Sequence, residues 1–239
     1  MKKKIIVTVI ILCYCAMFFV VYVGLKTYEP NNTVNVATTE KAPVIIIDAG
    51  HGAFDGGAVT KDGYPEKDIN LSIALYLNEY LNLMGFNTIL TRDSDKSLED
   101  EGLNTIRKKK KSDLYNRMEI MEKTENAVFI SIHQNSYPAE KYSGMQVFYS
   151  KNFSEISSTL AESIQENTVN LLQPNNQRQT KPCGTSVFLI YNAKKPACLV
   201  ECGFLSNNEE AKKLKTPQYQ KQIAFCIAMG VQEFYNNKD

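Results

Sequence analysis

Apolar residues in this chain switch repeatedly between two periods. Val44 to Asp48 is an unbroken β-rich run, and Phe86–Thr91, Ala127–His133, Gly144–Ser150, Thr185–Ile190 and Ala197–Cys202 read as further strands. Between them the spacing becomes helical. From about Glu66 to Met84 the apolar residues Ile69, Ile73, Leu77, Tyr80, Leu81 and Met84 share a face, and Gly85 follows as a C-cap. Asp113–Lys123, Phe153–Leu172 and a closing segment from Pro217 to Tyr235 are also predicted helices. Strands that alternate with helices predict an α/β fold: a single domain whose twisted, mostly parallel sheet of about six strands is flanked by helices.

The amino terminus follows a different pattern. Lys2, Lys3 and Lys4 precede Ile5 to Leu25, 21 residues without a charge. As a helix rising about 1.5 Å per residue, that run spans roughly 30 Å, the thickness of a bilayer core. It exceeds a usual signal-peptide core, and no clear small-x-small cleavage site follows it. Residues 1–26 therefore read as a signal-anchor, or otherwise a signal peptide, with the bulk of the chain exported. Residues 27–42 are polar and aperiodic and read as a linker, leaving 43–236 as one folded domain.

Charge and cysteines exclude more than they assign. Lys and Arg number 27 against 26 Asp and Glu, so no global attraction to nucleic acid or anionic surfaces is implied. Cys13 and Cys15 lie within the apolar run. Cys183, Cys198, Cys202 and Cys226 match no disulfide framework and read as small buried apolar residues. Cys198 and Cys202, four apart on a strand, stand roughly 13 Å apart, too far to pair. The basic run Lys108–Lys111 lacks interleaved aromatics and reads as a solvated loop. The loop after Asp48 holds five glycines, yet matches neither a phosphate-binding nor a dinucleotide-binding pattern.

The chain has only two histidines, and each ends a predicted strand: His51 follows Val44-Ile-Ile-Ile-Asp-Ala-Gly, and His133 follows Ala127-Val-Phe-Ile-Ser-Ile. Both would emerge at the carboxyl edge of the sheet, where open α/β sheets keep their ligand sites. A metal site is one reading; a structurally satisfied histidine remains the alternative for each taken singly. A hydrolytic zinc site needs a third, carboxylate ligand, and Glu66 at the start of the first helix is a candidate if the glycine loop folds back. Plain complementation of the helix dipole accounts for Glu66 equally well. Glu201 interrupts the apolar run Ala197-Cys-Leu-Val-Glu-Cys. An ionised carboxylate buried there must face a polar cleft, bind a cation, carry a proton, or pair with Arg92 or Arg117.

Five motifs in order carry a resemblance: Asp48-Ala-Gly-His51-Gly, Glu66-Lys-Asp-Ile-Asn70-Leu, Leu90-Thr-Arg92-Asp, Phe129-Ile-Ser-Ile-His133-Gln-Asn135, and Leu199-Val-Glu201-Cys-Gly-Phe-Leu-Ser-Asn207. Over about residues 43–236 the chain resembles the zinc-dependent N-acetylmuramoyl-L-alanine amidases, and among them the exported members that act on spore-cortex peptidoglycan. The resemblance implies one Zn2+ held by His51, Glu66 and His133, with Glu201 as catalytic acid and base. It implies cleavage of the amide between the lactyl group of muramic acid and L-alanine. Asp48 and Asn135 are candidates for orienting ligands or substrate, with loop and turn hydrogen bonding as their alternative role. The implied partners are the glycan strand and stem peptide, the membrane through the amino-terminal segment, and an accessory protein that targets or activates. The implied location is the cell wall or, in a spore former, the space between the two forespore membranes. Two features depart from the family pattern: Gln134 follows the second histidine where a small residue is common, and the charged stretch 93–112 is long. No wall-binding repeats are recognisable after the domain, which leaves targeting to the membrane segment or a partner. A wall-binding or regulatory domain without turnover, and a metallo-peptidase acting within the stem peptide, are the competing functions.

Overall fold

In the computed structural model, residues 43–237 are described. The predicted anchor at 1–26 and linker at 27–42 lie outside them. Six strands form one sheet: β1 (Val44–Ala49), β2 (Asn87–Leu90), β3 (Ala127–Asn135), β4 (Gln146–Tyr149), β5 (Lys181–Pro182) and β6 (Ala197–Phe204), in the order β2-β1-β3-β6-β4-β5. The first four in that order are mutually parallel; β4 runs antiparallel to β6, and β5 follows β4. Among the described residues no helix is long and apolar enough to cross a membrane.

The helices cover the two faces unequally. On one face lie α1 (Glu66–Leu83), α3 (Ser154–Leu171) and α6 (Pro217–Asn236). They bury Ile69, Ile73, Leu77, Leu160, Ile164, Ile227 and Phe234 against Ile45, Ile47, Ile130, Ile132, Cys198 and Val200 of the strands. The other face carries a smaller core of Ile46, Phe129, Ala197 and Leu199 under α2 (Ile106–Lys123) and the short α4 (Phe188–Tyr191). Because side chains alternate along a strand, the residues in step with Ile46, Phe129 and Leu199 at the carboxyl ends are Asp48, Ser131, His133 and Glu201. The smaller core therefore gives way to polar residues at one edge of the sheet.

Several sequence expectations are corrected. The second helix begins at Ile106 rather than Asp113, so Lys108–Lys111 is helical and not loop. Thr105 caps it by accepting the Lys108 N–H. Only Arg117, Met118 and Met121 of this helix are buried, so its first turns carry no apolar stripe to announce them. Thr185–Ile190 is not a strand: the pairing with β4 is made by Lys181–Pro182, and Phe188–Tyr191 is one helical turn. A further helix, α5 (Asn208–Leu214), follows β6, its first turn capped by Asn207, which accepts the Glu210 N–H. The four cysteines beyond the apolar run are free and buried, as expected.

Candidate metal centre

The loop after β1 decides the site. It doubles back through two small antiparallel bridges, Gly52 with Asp55 and Val59 with Pro65, and returns the start of α1 to the carboxyl edge of the sheet. Two backbone bonds close it, from Glu66 N–H to Ala58 O (2.8 Å) and from Lys67 N–H to Gly56 O (3.1 Å). Two of its glycines are required by close approach. A Cβ on Gly50 would occupy the space of the His133 ring, and one on Gly57, where φ is +71°, would meet Glu66 Oε2 at 2.5 Å. His51 itself has a φ of 62°, a left-handed conformation that side-chain-bearing residues adopt only when their surroundings impose it.

The surroundings that impose it are two buried arginines. Arg117 donates through Nη2 to His51 O (2.7 Å) and through Nη1 to Ala49 O (2.9 Å). Arg92 donates through Nε to Ala49 O (2.8 Å) and through Nη2 to Gly50 O (3.0 Å) and Lys67 O (2.8 Å). Arg117 is anchored in turn by Asp48 (2.5 Å) and Asp113 (2.7 Å). Burial opposes ionisation of Asp48, but the Arg117 guanidinium and the Ser131 hydroxyl hold its carboxyl below the usual range. Both arginines are thereby committed, and neither pairs with Glu201.

His51, Glu66 and His133 meet above this clamp. The two imidazoles pack edge to face with centroids 4.9 Å apart. Glu66 lies between them, with Oε1 2.9 Å from His133 Nδ1 and Oε2 3.3 Å from His51 Nε2. The carboxylate is fixed by three further donors: Ala58 N–H to Oε2 (2.8 Å), and Gln134 N–H (3.0 Å) and Asn70 Nδ2 (3.2 Å) to Oε1. One donor atom from each of the three residues lies within 4.8 Å of the others. Two imidazole nitrogens and a carboxylate oxygen are the ligand chemistry of a hydrolytic zinc centre, which keeps a further position for water. The donor set present therefore fits one zinc ion.

Asp55 holds the far side of His51, with Oδ2 2.9 Å from Nδ1. Lys110 braces Asp55 at 2.8 Å. Burial disfavours the imidazolium, but the bonds to Asp55 and Glu66 outweigh it and raise His51 to about 9. A metal held by His51 would have to displace that proton. Asp55 is a carboxylate four residues beyond a histidine within a glycine loop, a signal that sequence reasoning passed over. The basic run gave no sign that Lys110 serves the site.

Glu201 pairs in register with His133 on one side and Gln146 on the other, so the three stand in one row across β3, β6 and β4. Its Oε2 is buried and has no hydrogen-bond partner. Burial pushes the Glu201 carboxyl up to about 7, against the pull of the His133 imidazole. Asp48 lies beneath the cluster in the Arg117 clamp. Asn135 ends β3 past a register shift, and its carbonyl accepts the Leu205 N–H at 2.8 Å. A cavity of about 160 Å3 opens beside the histidines on the α2 side, lined by Phe54, Lys110, Leu114 and Leu189.

The chain is similar to known proteins over most of its described residues. The family described as N-acetylmuramoyl-L-alanine amidase matches residues 45–233. A germination-specific N-acetylmuramoyl-L-alanine amidase from Bacillus subtilis (strain 168) is 36% identical over 195 residues, covering 82% of this chain and 81% of that protein. The CwlD amidase from Clostridioides difficile, solved in complex with the GerS lipoprotein, superposes with a TM-score of 0.78 at 41% identity, over 82% of this chain and 99% of that one. The amidase AmiC2 of Nostoc punctiforme superposes at 0.67 with 28% identity, over 81% and 97%.

Proposed function

The chain belongs to the N-acetylmuramoyl-L-alanine amidase family, and from that premise we propose that it is a zinc hydrolase of spore-cortex peptidoglycan. It is a cell-wall amidase. The finer reading is that His51, Glu66 and His133 hold one Zn2+, that Glu201 moves the proton, and that the bond cut joins the lactyl group of N-acetylmuramic acid to L-alanine. One observation carries this reading: a three-donor cluster stands beside a buried carboxylate oxygen without a partner, with His133 of the cluster in register with Glu201 on the adjacent strand.

When bound, zinc supplies Lewis-acid polarisation of the amide carbonyl and acidifies a bound water. Glu201 accepts the proton of the attacking water and returns it to the alanine nitrogen as the C–N bond breaks. A carboxyl raised to about 7 suits both halves of that transfer at neutral pH. Asp55 keeps the His51 ring turned toward the metal, and Asp48 acts through Arg117 to hold the His51 backbone. Asn135 belongs to the rim, where it orients substrate. Residues 1–26, as a signal-anchor or a signal peptide, deliver the domain outside the cytoplasmic membrane, and 27–42 serve as a linker. An accessory protein that aids targeting or activation is supported by the complex in which the CwlD relative was solved.

The test is digestion of purified peptidoglycan with mass-spectrometric identification of the new ends. Free L-alanine amino ends and lactyl carboxyl ends are expected, with none from inside the stem peptide. Alanine at His51 or His133 is expected to abolish both zinc retention and turnover, whereas Glu201→Gln keeps zinc and loses turnover. Full turnover in zinc-loaded Glu201→Gln would remove Glu201 from the mechanism. Spores lacking the protein are expected to have a cortex without muramic lactam; an unchanged cortex would refute the spore role.

A further inference from the structure

A second, larger opening adjoins the site and has so far been given no role. It is a groove of about 960 Å3 lined by Tyr142, Gln146, Asn176, Arg178, Lys181 and Lys213 among others. Topology sets it at the catalytic edge. Because β4 runs antiparallel to β6, its first residue, Gln146, lies at the carboxyl end of β6, opposite Glu201. Lys181 begins the parallel neighbour β5 at the same edge. Across the sheet the order is therefore His51 and His133, then Glu201, then Gln146, then the groove.

Arg178 is the most constrained cation in that groove. Its guanidinium stacks 4.5 Å from the centroid of Phe204 and 5.9 Å from that of Tyr142. It donates through Nε to Ser143 O (3.3 Å) and through Nη1 to Gln146 Oε1 (3.2 Å). Asn176 Oδ1 accepts its backbone N–H (3.0 Å). Glu210 is the nearby acid, but its two oxygens are taken by the Gly144 and Phe204 N–H groups, both at 2.8 Å. Among the described residues Arg178 therefore makes no ion pair, although it is half-buried and held on one face and one edge. The Glu210 charge reaches it only at longer range, so a guanidinium fixed in this way keeps unused N–H donors with which to receive a carboxylate.

The reaction gives the groove a direction. In the amidase reading, on which this inference rests, the carbonyl lies at the metal and the alanine nitrogen leaves from the Glu201 side. The peptide must then run away from the histidines, over β4. The step from β6 to β4 is about 4.8 Å, close to the 3.8 Å between successive Cα atoms of a peptide. The residue after alanine thus arrives above Gln146, beside Arg178. We propose that this groove binds the stem peptide and that Arg178 receives a free carboxylate on the residue following L-alanine.

The test compares two substrates on the zinc-loaded protein: glycan fragments bearing one stem peptide with that carboxylate free, and the same fragments with it converted to a primary amide. The wild type is expected to favour the free acid by about 10- to 100-fold in KM, the range of one hydrogen bond between charged groups. Arg178→Ala and Arg178→Gln are each expected to collapse that preference to within about twofold, and Arg178→Lys to retain part of it. The glutamine variant keeps a donor for Gln146 and guards against loss of folding in the alanine variant. Equal KM values for both substrates in the wild type would overturn the proposal, as would a preference that survives in both neutral variants or a change that affects both substrates alike. If the wild type cleaves neither substrate, activation by an accessory protein is missing or the bond assignment is wrong, and the groove is judged apart from turnover. Calorimetric titration with the free stem peptide then decides the groove, with binding expected in the wild type and lost in Arg178→Gln.

Discussion

The two faces of the sheet are built from alternate residues of the same strands, yet they do different work. On the face under α1, α3 and α6, positions 45, 47, 130, 132, 198 and 200 are all apolar and fully enclosed. On the other face, positions 46, 129, 197 and 199 are apolar, but positions 48, 131, 133 and 201 are Asp, Ser, His and Glu. One residue of register separates a core from a row of polar side chains. The lesson is that this site was made by turning the carboxyl end of one face polar beneath the Arg117 clamp, with the closed face supplying the rigidity.

The largest expected effect separates chemistry from scaffold. Glu201→Gln should lower kcat by about 10^2- to 10^4-fold, the usual contribution of a positioned acid–base group, with zinc content unchanged by elemental analysis. The converse is Ile130→Ala on the closed face. It should cost about 2–5 kcal/mol of stability in denaturant melts, while the folded fraction keeps its zinc affinity and kcat. If it changes kcat as strongly as stability, the division between the faces is false.

A third prediction concerns pH in chelator-stripped protein. Glu201 titrates near 4.5 when unfolded and near 7 when folded. Below about pH 4.5 both states hold the proton and the group is neutral in effect. As pH rises toward 7 the unfolded state ionises first, so the wild type loses stability relative to Glu201→Gln, by up to about 3 kcal/mol above pH 7. A gap between the two proteins that does not change between pH 4.5 and pH 8 would count against burial as the cause. The smallest effect tests the brace around His51: Asp55→Ala should weaken zinc binding by about 10- to 100-fold in competition titrations, and should also lower the melting temperature of the metal-free protein, because the ion pair that raises His51 is lost.

The strands of both faces could be read from sequence because burial on two sides writes continuous apolar runs, as in Val44–Ala49. The two histidines and Glu201 were legible for the same reason, being polar interruptions or terminations of those runs. Glu66 was legible only as a candidate, since a helix-opening glutamate looks the same whether it complements a dipole or joins a site; the fold-back of the glycine loop distinguishes them. The start of α2 was hidden because lysines and a cap, with no apolar stripe, make its first turns. The clamp formed by Arg92 and Arg117 on backbone carbonyls leaves no pattern at all, because a carbonyl acceptor has no sequence identity. Arg178 is obscured likewise, since its ring and amide partners come from segments far apart in the chain.

Glu66 and His133 lie 67 residues apart, and their oxygen-to-nitrogen contact requires a helix from one face to meet a strand end over the top of the sheet. Loops of that length close late in folding, after local helices have formed. The three donors come together only once β3 has paired with β1 and α1 has folded back over the sheet, so a chain that has not reached that stage has no competent centre. A chain threaded through a membrane before it folds would thus cross it inert, and ion capture would reward only the finished topology, adding its binding energy to the native state alone.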